Sequence, residues 1–306
     1  MAGFRVTGWG TALPDKTVTN ADLEGWLDTD DAWIRERTGI AERRVGGSTT
    51  ALAVEAGREA LERSPGPVDL VLVATITPDQ VTPATASYVQ AALGLEDCGA
   101  FDLAAACSGF VYGLVTARAL LATGVRRILL IGVDTLSRIT DWEDRRTAII
   151  FADGAGAVVL EAADGDDNLL GFDLGSDGTA EGILRADLGG YLRMDGKEVF
   201  KRAVEAMVGS CGRTLERAGR TVADVDLVVP HQANARIIEA GLDGLGIPWD
   251  KASIVVETVG NTSAASVPLA LAAALDQGRV QEGDDVLFVG FGAGMAWASA
   301  LVRWQG

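Results

Sequence analysis

A thiol, an imidazole and a carboxamide stand out in this 306-residue chain: Cys107, His231 and Asn261. Cys107 sits in AAACSGFVYG, after a short run at 100–103 that reads as a strand and a turn of small residues, at or just before the first turn of a helix reaching about residue 123. Exposed backbone N–H groups and the positive end of the helix dipole lower a thiol pKa at such a place, raising the thiolate fraction available for attack. The surrounding Ala and Gly residues leave room for a substrate. A free cysteine is also a common packed core residue, so the local pattern leaves both roles open. Cys98 and Cys211 lack such a setting and read as structural.

A cysteine nucleophile usually needs a base or hydrogen-bond partner, and His231 is the single histidine of the sequence. It lies in PHQANARII directly after the strand-like VDLVV, at the strand end where α/β sheets commonly build their sites. An interior or helix-capping histidine is the other reading. Asn261, in VGNTSAASVPLALAAAL, precedes a small polar turn and a long apolar helix; its amide can donate to a carbonyl oxygen without carrying charge, or cap the helix. VGFGAGMAW adds a Gly-rich turn between two strands, suited to presenting backbone N–H groups to an oxyanion or serving only as a tight turn. Neither FADGAGAVVL nor GFGAG has the spacing of a dinucleotide-binding turn, and no Walker motif is present.

These residues need a scaffold, and the sequence describes one. VDLVLVATI, RRILLIGVD, VDLVVPH and DDVLFVGFG are continuous aliphatic runs of the kind buried strands show, starting at 68, 126, 225 and 284. Between them TALAVEAGREALERS, KEVFKRAVEAMVGSCGRTLERAG and SVPLALAAALDQG read as helices, giving an α/β alternation. The order also repeats: the step from VDLVLV to VDLVVP matches the step from RRILLIGVD to DDVLFVGFG within one residue. We read two similar α/β halves, 1–165 carrying the cysteine and 166–306 carrying the histidine and asparagine, joined in the acidic stretch EAADGDDNLLG. Pockets favour the meeting place of two such units.

Composition removes other classes. At 48% hydrophobic residues the chain can bury a sizeable core. The three cysteines show no C-x-x-C pair or metal-ligand spacing, so neither a disulfide framework nor a metal site is expected. A formal net charge of -17 opposes attraction to nucleic acid. The N-terminus lacks the pattern of a signal peptide and no stretch reaches the ~20 apolar residues of a membrane span, so a cytoplasmic protein is expected.

With these segments in view, DLAAACSGFVYGL, FADGAGAVVL, VPHQANARII, GNTSAASVPLAL and FGAGMAWASALVR, together with DAWIRERTGI near the start, resemble in order the blocks of the thiolase superfamily. The closest resemblance is to β-ketoacyl-acyl-carrier-protein synthase III, the condensing enzyme that starts fatty acid chains, and it covers essentially the whole chain. It implies a five-layered αβαβα fold, a homodimer, and a Cys107–His231–Asn261 triad. It also implies an acyltransferase with no tightly bound cofactor, to which acyl-coenzyme A and a malonyl thioester come as substrates. The implied coenzyme A tunnel falls on Trp33, Arg37, Arg145, Met194, Gly196, Phe200, Ala233 and Asn234; an indole suits adenine and a guanidinium suits phosphate. The backbone N–H groups of Cys107 and Ala293 would hold the oxyanion, with Phe291 shielding the reacting centre.

Departures from the family pattern carry further expectations. Thr82 stands where acetyl-primed members often have phenylalanine at a position that closes the partner subunit's acyl pocket, implying a roomier pocket. Arg236 matches the patch that grips the acidic acyl carrier protein, with Lys201 and Arg202 as possible helpers, but Glu239 and Asp243 replace frequent lysines, implying weakened docking. Arg146 replaces a glycine and would add a phosphate contact or narrow the entrance. ETVGN replaces an aromatic or histidine and a basic residue. These changes shift weight toward a specialised relative, such as one that supplies polyketide starters. Two other readings remain: an acyltransferase moving the acyl group to an oxygen or nitrogen acceptor, and a non-catalytic ketosynthase partner.

Overall fold

In the computed structural model, which describes residues 3–305, the chain forms two main sheets with helices outside and between them, and two small two-stranded ones. Met1, Ala2 and Gly306, at the ends of the two expected halves, lie outside the described residues. The N-terminal half runs β1 (Gly3–Ala12), β2 (Thr17–Thr19), α1 (Asn20–Glu24), α2 (Asp31–Thr38), β3 (Glu42–Arg44), α3 (Thr49–Arg63) and β4 (Leu70–Ala74). It continues through α4 (Thr85–Ala92), β5 (Gly99–Leu103), α5 (Gly109–Leu121), β6 (Arg127–Thr135), α6 (Arg145–Ala148) and β7 (Asp153–Ala163). Its main sheet has the order β1-β7-β6-β4-β5.

The second half contains β8 (Leu169–Ser176), the two-residue strands β9 (Leu184–Arg185) and β10 (Arg193–Met194), α7 (Gly196–Ala218) and β11 (Leu227–Pro230). After these come α8 (Ala235–Leu245), α9 (Val256–Val259), α10 (Ser266–Asp276), β12 (Asp285–Gly292) and β13 (Ala296–Arg303). Its sheet has the order β11-β12-β13-β8.

The layers follow from the apolar runs. Ile128, Leu129, Leu130 and Ile131 of β6 are all fully buried, because helices cover both faces of the sheet. Helices α3 and α4 pack on the outer face of the first sheet, α5 and α10 lie between the sheets, and α7 packs on the outer face of the second with α8 against it. The result is the expected αβαβα arrangement. The two sheets also share their pairing. Leu70 of β4 lies opposite Ile128 of β6, and Leu227 of β11 lies opposite Val286 of β12, both parallel. These four residues fall inside the four runs whose repeat the sequence shows. A single parallel bridge, Val228 to Ala252, stands in the second sheet where β5 stands in the first.

The chain passes between sheets through the acidic turn after Ala163. Asn168 then stitches the sheets together: its Oδ1 accepts from Phe4 N–H at 2.8 Å, and its Nδ2 donates to the Phe4 and Arg303 carbonyls at 2.9 and 3.0 Å. A third device fastens the N-terminal cap of β2, α1, α2 and β3. The fully buried Arg43 guanidinium donates to the carbonyls of Val18 and Ile149 and to Asn20 Oδ1, at 3.1, 3.1 and 2.7 Å. Burial pulls its pKa down to about 10, which still leaves it charged at neutral pH.

Candidate active site

Cys107 lies in a single 3-10 turn, Ala106–Ser108, between β5 and α5. Ala106 before it adopts φ +46°, a left-handed conformation costing a non-glycine residue about 1–3 kcal/mol, the kind of strain that collects at functional sites. The thiol is 7% exposed and faces the end of β12. That approach requires Gly292: a Cβ there would lie 2.8 Å from Cys107 N and 3.1 Å from Cys107 Sγ. The next turn, Ala293–Met295, is thereby seated beside the cysteine. Gly292 and Met295 line the cavity described below; Ala293 itself does not.

The thiol does not have the lowered pKa that the helix terminus alone suggests. Burial pushes it up to about 12, with the Asp134 carboxylate adding to the rise and Ser263 opposing it. Desolvation outweighs the dipole because β12 and the 263–265 turn enclose the sulfur from distant parts of the chain.

His231 follows β11, and its backbone N–H donates to the Val289 carbonyl of β12 at 2.7 Å. Its Nδ1 lies 2.6 Å from Ser266 Oγ at the start of α10, leaving Nε2 as the free nitrogen. Phe291 meets the ring edge-on, with centroids 5.3 Å apart. Burial lowers the imidazole pKa to about 3, so the ring is neutral at neutral pH. Asn261 is held by its backbone, which donates to the Ile150 carbonyl at 3.0 Å and accepts from Ala152 N–H at 2.9 Å. Its Oδ1 accepts from Ser263 N–H at 3.0 Å, leaving Nδ2 to donate. The turn after it nests on β6 at Gly132, where a Cβ would lie 2.2 Å from the Ala264 carbonyl oxygen.

Cys107, His231, Asn261 and Phe291 line one cavity of about 1350 Å³. Trp33, Arg37, Arg145, Arg146, Met194, Gly196, Phe200, Ala233, Asn234 and Arg236 line it too, so most of the residues singled out in the sequence meet here. At the entrance, the Arg37 and Arg145 guanidinium carbons lie 4.8 and 5.0 Å from the Trp33 ring centroid. Asn234 Nδ2 donates to the Arg37 carbonyl at 2.9 Å and its Oδ1 caps α8, so α2 and α8 are tied together across the opening. Arg236 is exposed, lies over Phe200 at 5.8 Å, and shares the surface of α8 with exposed Glu239 and Asp243. Arg146 donates through Nε and Nη2 to Asp144, so its charge is already paired.

Besides Ala293, three expected residues, Lys201, Arg202 and Thr82, do not line the cavity. Lys201 is exposed on α7 and does not line the cavity, and neighbouring Arg202 pairs with Asp177 at 3.1 Å. Thr82 is exposed in the loop between β4 and α4, away from this chain's own cavity. Sequence reasoning missed Ser266, Ser263 and Asp134, and, apart from Met194, the arm from 178 to 195, whose Tyr191 and Arg193 also line the cavity. The serines sit inside a block already singled out, and a run of hydroxyls opening an apolar helix was their available signal.

Residues 101–178 match the family model described as 3-oxoacyl-[acyl-carrier-protein] synthase III, and 215–304 match its C-terminal counterpart. A beta-ketoacyl-[acyl-carrier-protein] synthase III of Bacillus anthracis is 47% identical, with 98% of each chain covered. The chain belongs to the β-ketoacyl-[acyl-carrier-protein] synthase III family. The 3-oxoacyl-[acyl-carrier-protein] synthase III of Aquifex aeolicus superposes on it with a TM-score of 0.96 at 43% identity, covering 99% of this chain and 100% of that one. The priming β-ketosynthase of the R1128 polyketide pathway gives 0.91 at 37%, covering 99% and 97%.

As a synthase III, the protein brings a buried thiol, a neutral imidazole and a carboxamide to the floor of a deep cavity with a guanidinium-lined mouth. Among the described residues no cluster of His, Cys, Asp or Glu could hold a metal ion. No described helix is long and apolar enough to cross a membrane.

Proposed function

We propose that the protein condenses an acyl-coenzyme A primer with a malonyl thioester, with loss of carbon dioxide and through an acyl-Cys107 intermediate, in fatty acid or polyketide initiation. The observation that carries this reading is the convergence of Cys107, His231 and Asn261 on one cavity with free Nε2 and Nδ2 atoms. Cys107 Sγ attacks the acyl thioester, backbone N–H groups of Cys107 and Ala293 hold the oxyanion, and coenzyme A leaves. A malonyl thioester follows. As it loses carbon dioxide, the developing enolate oxygen accepts hydrogen bonds from His231 Nε2–H and Asn261 Nδ2–H. The carbanion then attacks acyl-Cys107, forming the carbon–carbon bond and freeing the cysteine. A neutral imidazole suits the donor role, because it places no fixed charge near the departing carboxylate.

Trp33 and the arginines at the mouth suit the adenine and phosphates of coenzyme A. Arg236 is proposed as the contact for an acidic carrier protein; exposed Glu239 and Asp243 beside it, and the net charge of -17, support weak steering. The halves 1–165 and 166–306 are proposed as the duplicated units, one bringing the nucleophile and the other its two partners. A homodimer is proposed through the open edge of β5, where Phe101, Tyr88 and Val81 are exposed near Thr82. In that dimer Thr82 would reach the partner's pocket.

Carbon dioxide release coupled to β-ketoacyl product tests the reading. Stoichiometric release is expected; acyl transfer to an alcohol or amine without it would overturn it.

A further inference from the structure

The mechanism above leaves one buried ionisable group beside the nucleophile without a role. Asp134, on β6, is fully buried and has no cationic partner among its contacts. Its Oδ1 accepts from Thr75 Oγ1, Ile76 N–H, Thr77 N–H and Thr77 Oγ1 at 2.8 to 3.2 Å. Its Oδ2 accepts from Ala264 N–H at 3.2 Å and has capacity left. Ser263 stands in between. It is fully buried and adopts φ +52°, with a hydroxyl that has no hydrogen-bond partner. Its turn packs against the Cys107 turn and is tied to Asp134 through the Ala264 N–H, and Ser263 lowers the pKa of both the thiol and the carboxyl.

We infer that Asp134 is the proton acceptor for the Cys107 thiol, reached through the Ser263 hydroxyl. The inference rests on the acyl-enzyme reading. During acylation the Cys107 Sγ–H proton passes to Ser263 Oγ while the Ser263 proton passes to Asp134 Oδ2. Sγ bonds to the acyl carbon, and the carbon–sulfur bond to coenzyme A breaks, its thiolate taking a proton from solvent. In the condensation the Sγ–acyl bond breaks, and the cysteine thiolate recovers its proton along the same path, restoring the Asp134 carboxylate. The relay stores one proton for the lifetime of the acyl-enzyme.

Electrostatics favours this acceptor over His231. A proton stored on the imidazole would make a buried imidazolium with Nδ1 already committed to Ser266, and burial alone lowers that ring's pKa to about 3. A proton stored on Asp134 removes a buried charge, and desolvation is the largest influence on that carboxyl, raising its pKa. The other ionisable group acting across this cluster is Asp153 on β7, an acid and not a cation. Arg138, on the adjoining turn, is paired with Asp79.

The test is the rate of Cys107 acylation by an acyl-coenzyme A in single turnover, followed from pH 7 to 10, in wild type, Ser263→Gly and Asp134→Asn. Glycine tolerates the left-handed turn and removes the hydroxyl together with its Cβ. Without the relay the thiolate must form through solvent, so Ser263→Gly is expected to lose roughly 10²-fold at pH 7 and to recover steeply as pH rises. Asp134→Asn is expected to show the same pH dependence, with its melting temperature reporting any loss of fold. An unchanged rate in Ser263→Gly, or a loss uniform across pH, would overturn the relay. Absence of any acyl adduct in the wild type would instead overturn the acyl-enzyme reading itself.

Discussion

The floor and the mouth of the cavity are built on opposite principles. At the floor, Cys107, His231 and Asn261 are nearly inaccessible and uncharged at neutral pH, and backbone hydrogen bonds hold His231 to β12 and Asn261 to Ile150 and Ala152. At the mouth the groups are charged and solvent-facing, and Arg146 and Arg145 already engage Asp144 and Asp28. Low dielectric at the floor magnifies each hydrogen bond that forms only as charge develops, whereas solvent screens the pairs at the mouth. Substitutions at the floor should therefore act on the chemical step, and those at the mouth on binding.

The sharpest expected contrast comes from His231→Ala and Asn261→Ala. Each removes one donor to the enolate oxygen and should lower malonyl decarboxylation by about 10²–10³-fold while Cys107 still acylates, as intact mass would show. The pH dependence comes next. An ordinary histidine changes charge near pH 6.5, but with its value lowered to about 3 His231 stays neutral, so decarboxylation should be flat from pH 5 to 8. The same shift acts on stability. The unfolded chain takes up this proton near 6.5 and the folded one only near 3, so stability should fall as pH drops through that window, measurable by thermal melts.

The mouth should respond more mildly. Trp33→Ala is expected to raise KM for acyl-coenzyme A about 2- to 10-fold with little change in kcat, from the loss of one stacking contact. Arg146→Gly, which removes a side chain already bound to Asp144, should change KM by no more than about 2-fold. A large effect from Arg146 and none from Trp33 would reverse the comparison between a stacked and a paired group at the entrance.

The sequence made the floor legible because its residues sit at ends of long apolar elements. The runs at 126–134 and 284–292 became β6 and β12, and His231 and the Gly292 turn follow strands as expected. What stayed hidden depends on contacts between distant segments. The Asp134 to Ala264 bond and the Ser266 contact with His231 form only once α10 packs between the sheets. The thiol pKa was misread for the same reason: the helix dipole is local, and the burial that overrides it comes from β12. The arm from 178 to 195 left no periodic signal, since β9 and β10 are two residues each. Arg146 carries its own counter-charge two residues earlier at Asp144, a pairing that local sequence could have revealed.

The central claim is that a buried, neutral thiol at the floor becomes the acyl carrier. Intact-protein mass spectrometry tests it most directly, with acyl-coenzyme A thioesters of several chain lengths added first and malonyl thioester second, and Cys107→Ala as the control. The account expects one acyl adduct, absent in Cys107→Ala and discharged by malonyl thioester with release of carbon dioxide. An adduct that persists in Cys107→Ala, or none with any thioester in the wild type, would contradict it.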